Sequence, residues 1–425
     1  MFESLVKLAM PNKAIPVLQD DTDGGSMIEA DISEPLAVGA MIFNEPLFRD
    51  FSGDNPPLSF YWLLSTDQIQ RLKNLSAKAP DFGSLALKET GYYVMRDGWQ
   101  PDNRYLLVSA GLEKRKPDHQ HGDMLGIIAY TGGTTFLPNY KVRYNREDFS
   151  YLKNSWAKNV ALVDSQLQGR NWKGNRGGSG FGKWLFLPEP KVLCWQVSDE
   201  LDYFSGQHNG FENLDVHYQR EILFVKNGFW IVIDEFNSNS VHKYQQVWQG
   251  PFEIVNNRLL KQLLKNGQQV YLWQLNDEKF EIKQHRFGVH HRYQNNVFQT
   301  TPQKQFTFTT LILPGAKINE DKGVIQVGDF TIRTGEDFTV NPNLSFKPKL
   351  IVEKQGQPFL LNGVTEFSID GKTTHLKKPL HFLILNAMEG KLNCRVYGHD
   401  LDNLQKMFNH NGGRLQCGSI IELTL

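Results

Sequence analysis

From Gly91 onward the chain is a succession of short apolar runs broken by Gly, Asn, Asp and Pro: YLLVSA, MLGIIAY, REILFV, FWIVIDEF and FTFTTLILP. Runs of this length, rich in β-branched and aromatic residues, are strand signals, and turn residues at such spacing predict an antiparallel β-sandwich. The runs are too closely punctuated for helices to carry the core. After about Asn341 they continue as KLIVEKQ, PFLLNG, TEFSID, HFLILNA, LNCRVYG and SIIELTL. No solenoid or propeller period recurs, and no tract is of low complexity.

The first 88 residues read differently. FESLVKLAM, EPLAVGAMIF (Glu34 to Phe43) and SFYWLL followed by TDQIQRLKNL place apolar residues three and four apart, the spacing of amphipathic helices. LQDDTDGGSM between the first two is a loop by its Asp and Gly content. A chain of 425 residues can bury a large core in about two or three domains. The expected fold is mainly β with a short helical N-terminal region. Its parts are 1–88, helical; 89–345, the main β-sandwich; and 346–425, a β continuation or small β subdomain.

The segment with most chemical content runs from Gly91 to Asp164 and holds His119 and His121 in PDHQHGDMLGIIAY. In an extended strand residues i and i+2 share a face, so both imidazoles can serve one cleft or one metal; ordinary polar strand positions are the alternative. Formal net charge is zero, but Gly111 to Lys183 carries 12 Lys+Arg against 6 Asp+Glu. That excess suits an acidic ligand if the charges converge, and a solvated surface if they do not. Neither a nucleic-acid partner nor a membrane span is expected. Cys194, Cys394 and Cys417 allow one disulfide and have no zinc-ribbon spacing.

Other motifs carry less. GNRGGSGFGKW (Gly174 to Trp184) approaches a phosphate-binding loop, but Trp184 stands where a Ser or Thr would hold magnesium and no βαβ pattern surrounds it. A glycine-rich loop over a cleft is the better reading. His217 in LDVHYQREILFV is either a cleft residue or a surface histidine. His290 and His291 would point to opposite faces of a strand. Trp156, Trp172 and Tyr144 could stack on sugar rings or fill the core.

The order of signals resembles the heparinase II/III-like family of polysaccharide lyases over roughly residues 1 to 340. The residues concerned are GYYVMR (Gly91 to Arg96), then His119-Gln120-His121-Gly122-Asp123. Asn139 follows eighteen positions after His121, and Ser155-Trp156-Ala157-Lys158-Asn159-Val160-Ala161-Leu162-Val163-Asp164 closes the series. The resemblance implies a β-sandwich preceded by the last helices of an (α/α) toroid, with β-elimination on a uronic-acid polysaccharide such as a glycosaminoglycan or alginate. It places His119 in the active cleft, His121 at a zinc position, and Tyr144 at the position of a catalytic tyrosine, with Tyr151 as rival. Arg143, Lys116, Trp156 and His217 are the candidate substrate contacts. The family's remaining base and its substrate asparagine belong to toroid helices. A periplasmic or secreted location is implied, although MFESLVKLAMPNK lacks the build of a secretion signal.

The chain departs from this pattern where a metal would sit. The family has Asp and His at the positions of Asn139 and Lys158, and an amide and an ammonium are poor zinc ligands beside one imidazole. No cofactor is therefore expected, and zinc only if other ligands rebuild the site. Removing a carboxylate and adding an ammonium are complementary changes. Lys158 is expected either to take the metal's place, donating to Asn139 and to His121 or nearby carbonyls, or to meet the substrate carboxylate. A noncatalytic carbohydrate-binding module is the second functional expectation. A glycoside hydrolase is the third, and would need two carboxylates across a cleft.

Overall fold

The computed structural model describes residues 1–20, 26–53, 56, 58–113, 119–143, 147–174, 182–276, 278–319, 324–335, 337–341, 344–369, 371–388, 391–397 and 420–424. Short helices Phe2–Leu8, Ser33–Phe43, Pro46–Phe51, Phe60–Leu63 and Thr66–Asn74 form the N-terminal region. Local chemistry sets their ends. Ser65 and Gln68 close a capping box at the last helix, and Pro46 follows the Glu45 cap of the third. Val6, Leu36, Ala37, Phe48, Phe51 and Leu72 pack together as their core.

Among the described residues from Leu85 on, antiparallel strands predominate, with a short helix at Phe149–Leu152. An eight-stranded sheet runs in the order Pro190–Val197, Leu201–His208, Val216–Val225, Phe229–His242, Gln303–Pro314, Gln269–Gln274, Leu259–Leu263, Glu253–Asn256. Facing it are a five-stranded sheet, Leu85–Leu87 through Thr134–Leu137, and a four-stranded sheet in which Tyr244–Gln249 pairs with both Tyr293–Gln299 and Val160–Val163. The main core fills the space between, with Met95, Leu106, Ile127, Leu162 and Trp248 meeting Ile222, Phe224, Trp230 and Val232. This is the expected antiparallel sandwich.

A further layer covers the other face of the eight-stranded sheet. Leu223, Val225, Ile231 and Ile233 alternate with the residues just named and pack on Ile332, Val352, Leu360 and Phe382 of a C-terminal sheet. Burial on both faces explains why ILFV (Ile222 to Val225) and FWIVI are continuously apolar, since alternation belongs to a strand covered on one side. Trp230, fully buried and stacked on Phe224 at 5.0 Å, marks the density of this centre, where truncating an aromatic ring costs about 3–5 kcal/mol.

The N-terminal segment also closes the five-stranded sheet. Leu8, Met10, Ile15 and Leu18 cover its outer face over Val94, Tyr105, Leu107 and Ile128. That docking carries the chain to Asp20, beside the loop of the two histidines. His290 and His291 occupy a 3₁₀ turn, Val289–His291, with φ of 56° and 53°, so the strand expected for them is corrected to the tight turn of a hairpin. Among the described residues no helix is long and apolar enough to cross a membrane.

Candidate active site

His119, His121 and Asp123 lie in an irregular loop between the strands Tyr105–Ser109 and Gly126–Thr131, not in the extended strand expected for them. The loop turns because Gly126 N–H bonds Asp123 O at 2.7 Å and Leu125 adopts a left-handed φ of 56°. It is fastened to the helix end at Lys153: Gly122 N–H donates to Lys153 O at 2.9 Å, and Ser155 Oγ donates to Gly122 O at 2.9 Å. Only glycine fits at 122, where a Cβ would stand 2.4 Å from Asn154 Oδ1.

The two imidazoles nevertheless meet one group. Asp20 Oδ1 lies 3.0 Å from His121 Nε2, and Asp20 Oδ2 lies 3.4 Å from His119 Nδ1 and accepts a hydrogen bond from the Lys153 ammonium. Asp20 N–H also donates to His119 O at 3.2 Å. His121 is buried, whereas the His119 side chain is 49% exposed, so the cluster reaches solvent through His119. The Lys153 ammonium also sits 5.1 Å from the centre of the Trp172 ring.

On its inner side the cluster ends at Lys158. Its Nζ donates to His121 Nδ1 at 2.8 Å and to Asn139 Oδ1, while Asn139 Oδ1 also accepts from Tyr140 N–H at 2.8 Å. With Nδ1 accepting from Lys158, His121 carries its proton on Nε2 and donates it to Asp20. Burial, with the Lys158 charge beside it, holds His121 down at about 3, so the ring is neutral. Burial raises the Asp20 carboxyl, but the hydrogen bond and charge from His121 and the Lys153 ammonium prevail and hold it at about 2. Burial likewise pushes the Lys158 ammonium down and the Asp123 carboxyl up, and their mutual attraction opposes both.

Asn159 fixes the register of these pieces. Its amide donates to Ile127 O at 2.8 Å and Pro138 O at 3.0 Å and its Oδ1 accepts from Gln249 N–H at 2.7 Å, tying together the chain segments that carry Asp123, Asn139 and Lys158. A cavity of about 10 Å³ lies under the cluster, lined by Leu18, Tyr92, Asp123, Asn139 and Lys158 among others, with room for no more than about one water.

The structure thus brings His119, His121, Asn139 and Lys158 together. Tyr144 and Lys116 lie outside the described residues, as does most of the glycine-rich segment, 175–181. Arg143 is half-buried. Tyr151 packs on Phe287 at 4.9 Å and accepts from Asn295 Nδ2 at 3.1 Å; burial pushes its phenol up to about 12, so it keeps its proton at neutral pH. Trp156 packs partly buried against the main core, and its carbonyl accepts from Asn295 and Gln249. His217 is exposed on Val216–Val225 opposite Asn237, whereas its neighbours Val216 and Tyr218 face the core. Asp20 and Lys153 are the members that motif reasoning missed. Asp20 stands in a loop that reads only as a turn, and Lys153 is one cation in a basic stretch.

A metal does not fit here. Both nitrogens of His121 are engaged, one by Asp20 and one by Lys158, and the Asn139 oxygen is shared by two N–H donors. Among the described residues no three His, Cys, Asp or Glu side chains converge on a point where an ion could sit.

Comparison with known proteins bears on the fold and the family. Residues 79–337 match the model of the "Heparinase II/III-like, C-terminal" family. Heparin-sulfate lyase of Pedobacter heparinus is 21% identical over 286 residues, 63% of this chain and 40% of that protein; heparin-sulfate lyase of Bacteroides stercoris is 21% identical over 218 residues, 50% of this chain and 29% of that one. The crystal structure of a heparan sulfate lyase HepC mutant from Pedobacter heparinus superimposes with a TM-score of 0.57 at 17% identity, covering 90% of this chain and 52% of that chain. The match therefore spans 40% and 29% of the length of the two lyases and 52% of the solved chain. With the family model covering more than half of its residues, the chain belongs to the heparinase II/III-like family.

Proposed function

We propose that this chain forms the β-sandwich side of the active cleft of a polysaccharide lyase, cleaving a glycosaminoglycan of the heparan sulfate type by β-elimination. In that reaction the C5 proton of a uronate is removed, the C4–O bond breaks, a C4–C5 double bond forms, and the departing sugar oxygen takes up a proton. The observation that carries the reading is His119: a half-exposed imidazole backed by a buried carboxylate, at the edge of a cluster otherwise closed to solvent. Asp20, buried behind the ring, orients it, as a carboxylate behind a histidine does in proton-transfer sites. The basic excess of the surrounding segment suits a polyanion. The names of the relatives, heparin-sulfate lyases, favour a sulfated glycosaminoglycan over alginate. Such a substrate goes with a periplasmic or secreted location.

The test is to offer heparan sulfate, chondroitin, hyaluronan and alginate and follow the ultraviolet absorbance of the unsaturated uronate product. Product from heparan sulfate, reduced about 100-fold or more in His119→Ala, is the expected result. Product formation indifferent to His119→Ala removes His119 from the chemistry. Salt-sensitive binding without product from any of the four turns the reading into the noncatalytic carbohydrate-binding module.

A further inference from the structure

The residues around His121 are those of a coordination site whose central position is filled from within. Three separate segments converge there: the loop bearing His121, the stretch after Thr134–Leu137 bearing Asn139, and Lys158, two residues before Val160–Val163. Holding such segments together is what a structural metal does, and family resemblance assigns these three positions to zinc ligands. In this chain a side-chain nitrogen lies 2.8 Å from the imidazole lone pair and is hydrogen-bonded to the neighbouring amide oxygen. Metals and ammonium groups both need lone pairs pointing inward, and the same acceptor geometry serves either.

We propose that the Lys158 ammonium is a covalently attached substitute for a metal ion, so that the cluster of His121, Asn139 and Asp20 is organised without any bound metal. Three features favour this over an incidental lysine. Lys158 is 1% exposed and on the interior side of His121, away from the half-exposed His119 where substrate would arrive. Its neighbour Asn139 is neutral where a carboxylate would be needed for an ion, so the substituted pair keeps a positive group facing two uncharged acceptors. Negative charge for the ammonium remains nearby in buried Asp123 and, through His121, in Asp20. The consequence is a site whose shape does not depend on metal supply or on chelators. It stands whichever substrate the cleft takes.

The experiment compares the wild-type chain with two variants. Wild type purified in zinc-containing buffer is expected to hold no His121-dependent zinc by elemental analysis, and its thermal midpoint should be unmoved by zinc or by EDTA. Asn139→Asp combined with Lys158→His should acquire about one zinc per chain and a midpoint that rises with zinc and falls with EDTA; adding His121→Ala should abolish both. Lys158→Met, which keeps the length and removes the donors, should lower the wild-type midpoint by several degrees. Stoichiometric zinc in wild type, lost in His121→Ala, overturns the proposal. So does a folded double variant that takes up no zinc, or a Lys158→Met chain as stable as wild type. Should the double variant not fold, the wild-type metal content and the Lys158→Met midpoint still decide.

Discussion

Arg220 and Lys158 are both buried cations of the same sandwich, yet their surroundings differ in kind. The Arg220 guanidinium pairs with both oxygens of Asp234 at 2.7 and 2.8 Å and spends Nη1 on the carbonyls of Leu125 and Asn159, at 2.9 and 3.0 Å. Asp234 also accepts from Tyr218 and Gln246. Burial alone would lower Arg220, but Asp234 outweighs it and holds the guanidinium above its ordinary range. Lys158 offers one point charge, and burial drives it downward. A planar fork saturates its partners, whereas an ammonium leaves a network that continues outward through His121 and Asp20 to His119. The first cluster closes on itself and braces the segments on either side of the site. The second opens to solvent, where chemistry can occur.

Breaking the closed cluster should have the largest effect. Arg220→Met leaves Asp234 buried without its partner and should cost about 3–5 kcal/mol, whereas Arg220→Met with Asp234→Leu should recover much of that. Urea unfolding followed by the intrinsic fluorescence of the nine tryptophans measures both. A single-variant loss under about 1 kcal/mol would mean that the pair is not the brace described.

In the open cluster, Asp20→Asn keeps the shape but removes the charge shared by Lys153 and the histidines. A loss of about 2–3 kcal/mol is expected, because a buried ammonium loses its charge-assisted bond. The same variant should impair any His119-dependent turnover. Unchanged stability would show that Lys153 finds another counter-charge, and the comparison between the clusters would weaken.

Acid should strain the closed region in a way that His208 reports. Burial, with Arg220 adding to it and Asp234 opposing, holds His208 down at about 3, where its Nδ1 accepts from Gly210 N–H at 3.1 Å. The unfolded histidine titrates near about 6.5, so below that pH the unfolded chain binds the proton first. This contribution is whole above about pH 6.5 and falls as pH drops toward about 3, with about 2 kcal/mol gone by about pH 5. Urea midpoints for wild type and His208→Gln across that range should converge on acidification. Parallel curves would assign the acid sensitivity elsewhere.

Sequence reading reached these two clusters unequally. The apolar runs announced the sandwich because strand burial is written in local pattern, and continuous runs such as FWIVI carried the extra information of burial on two faces. His119, His121, Asn139 and Lys158 were visible because their spacing follows a family motif. The loop around His121 was misread as a strand, since alternation cannot register a close approach such as that of Gly122 to Asn154. Asp20 was hidden because its partners lie about a hundred residues or more further along the chain, joined to it only when Leu8 to Leu18 dock on the five-stranded sheet. Arg220 was read within a strand signal and nothing more, because a buried ion pair leaves no local pattern.

The smallest expected change in stability is the one that best separates the two regions. His119 is half exposed, its ring approaches Asp20 at 3.4 Å, and Asp20 retains His121 and Lys153 without it. His119→Ala should therefore move the unfolding midpoint by no more than about 0.5 kcal/mol, the usual range for a surface substitution. Its effect on catalysis should be large, because a proton-transferring group contributes to the transition state and not to packing. Measuring the midpoint and the rate of product formation on the same preparation distinguishes the roles. A His119→Ala chain that loses several kcal/mol makes this histidine a structural extension of the buried network, and the open end of the cluster would then have to be sought elsewhere, at the partly exposed Trp172.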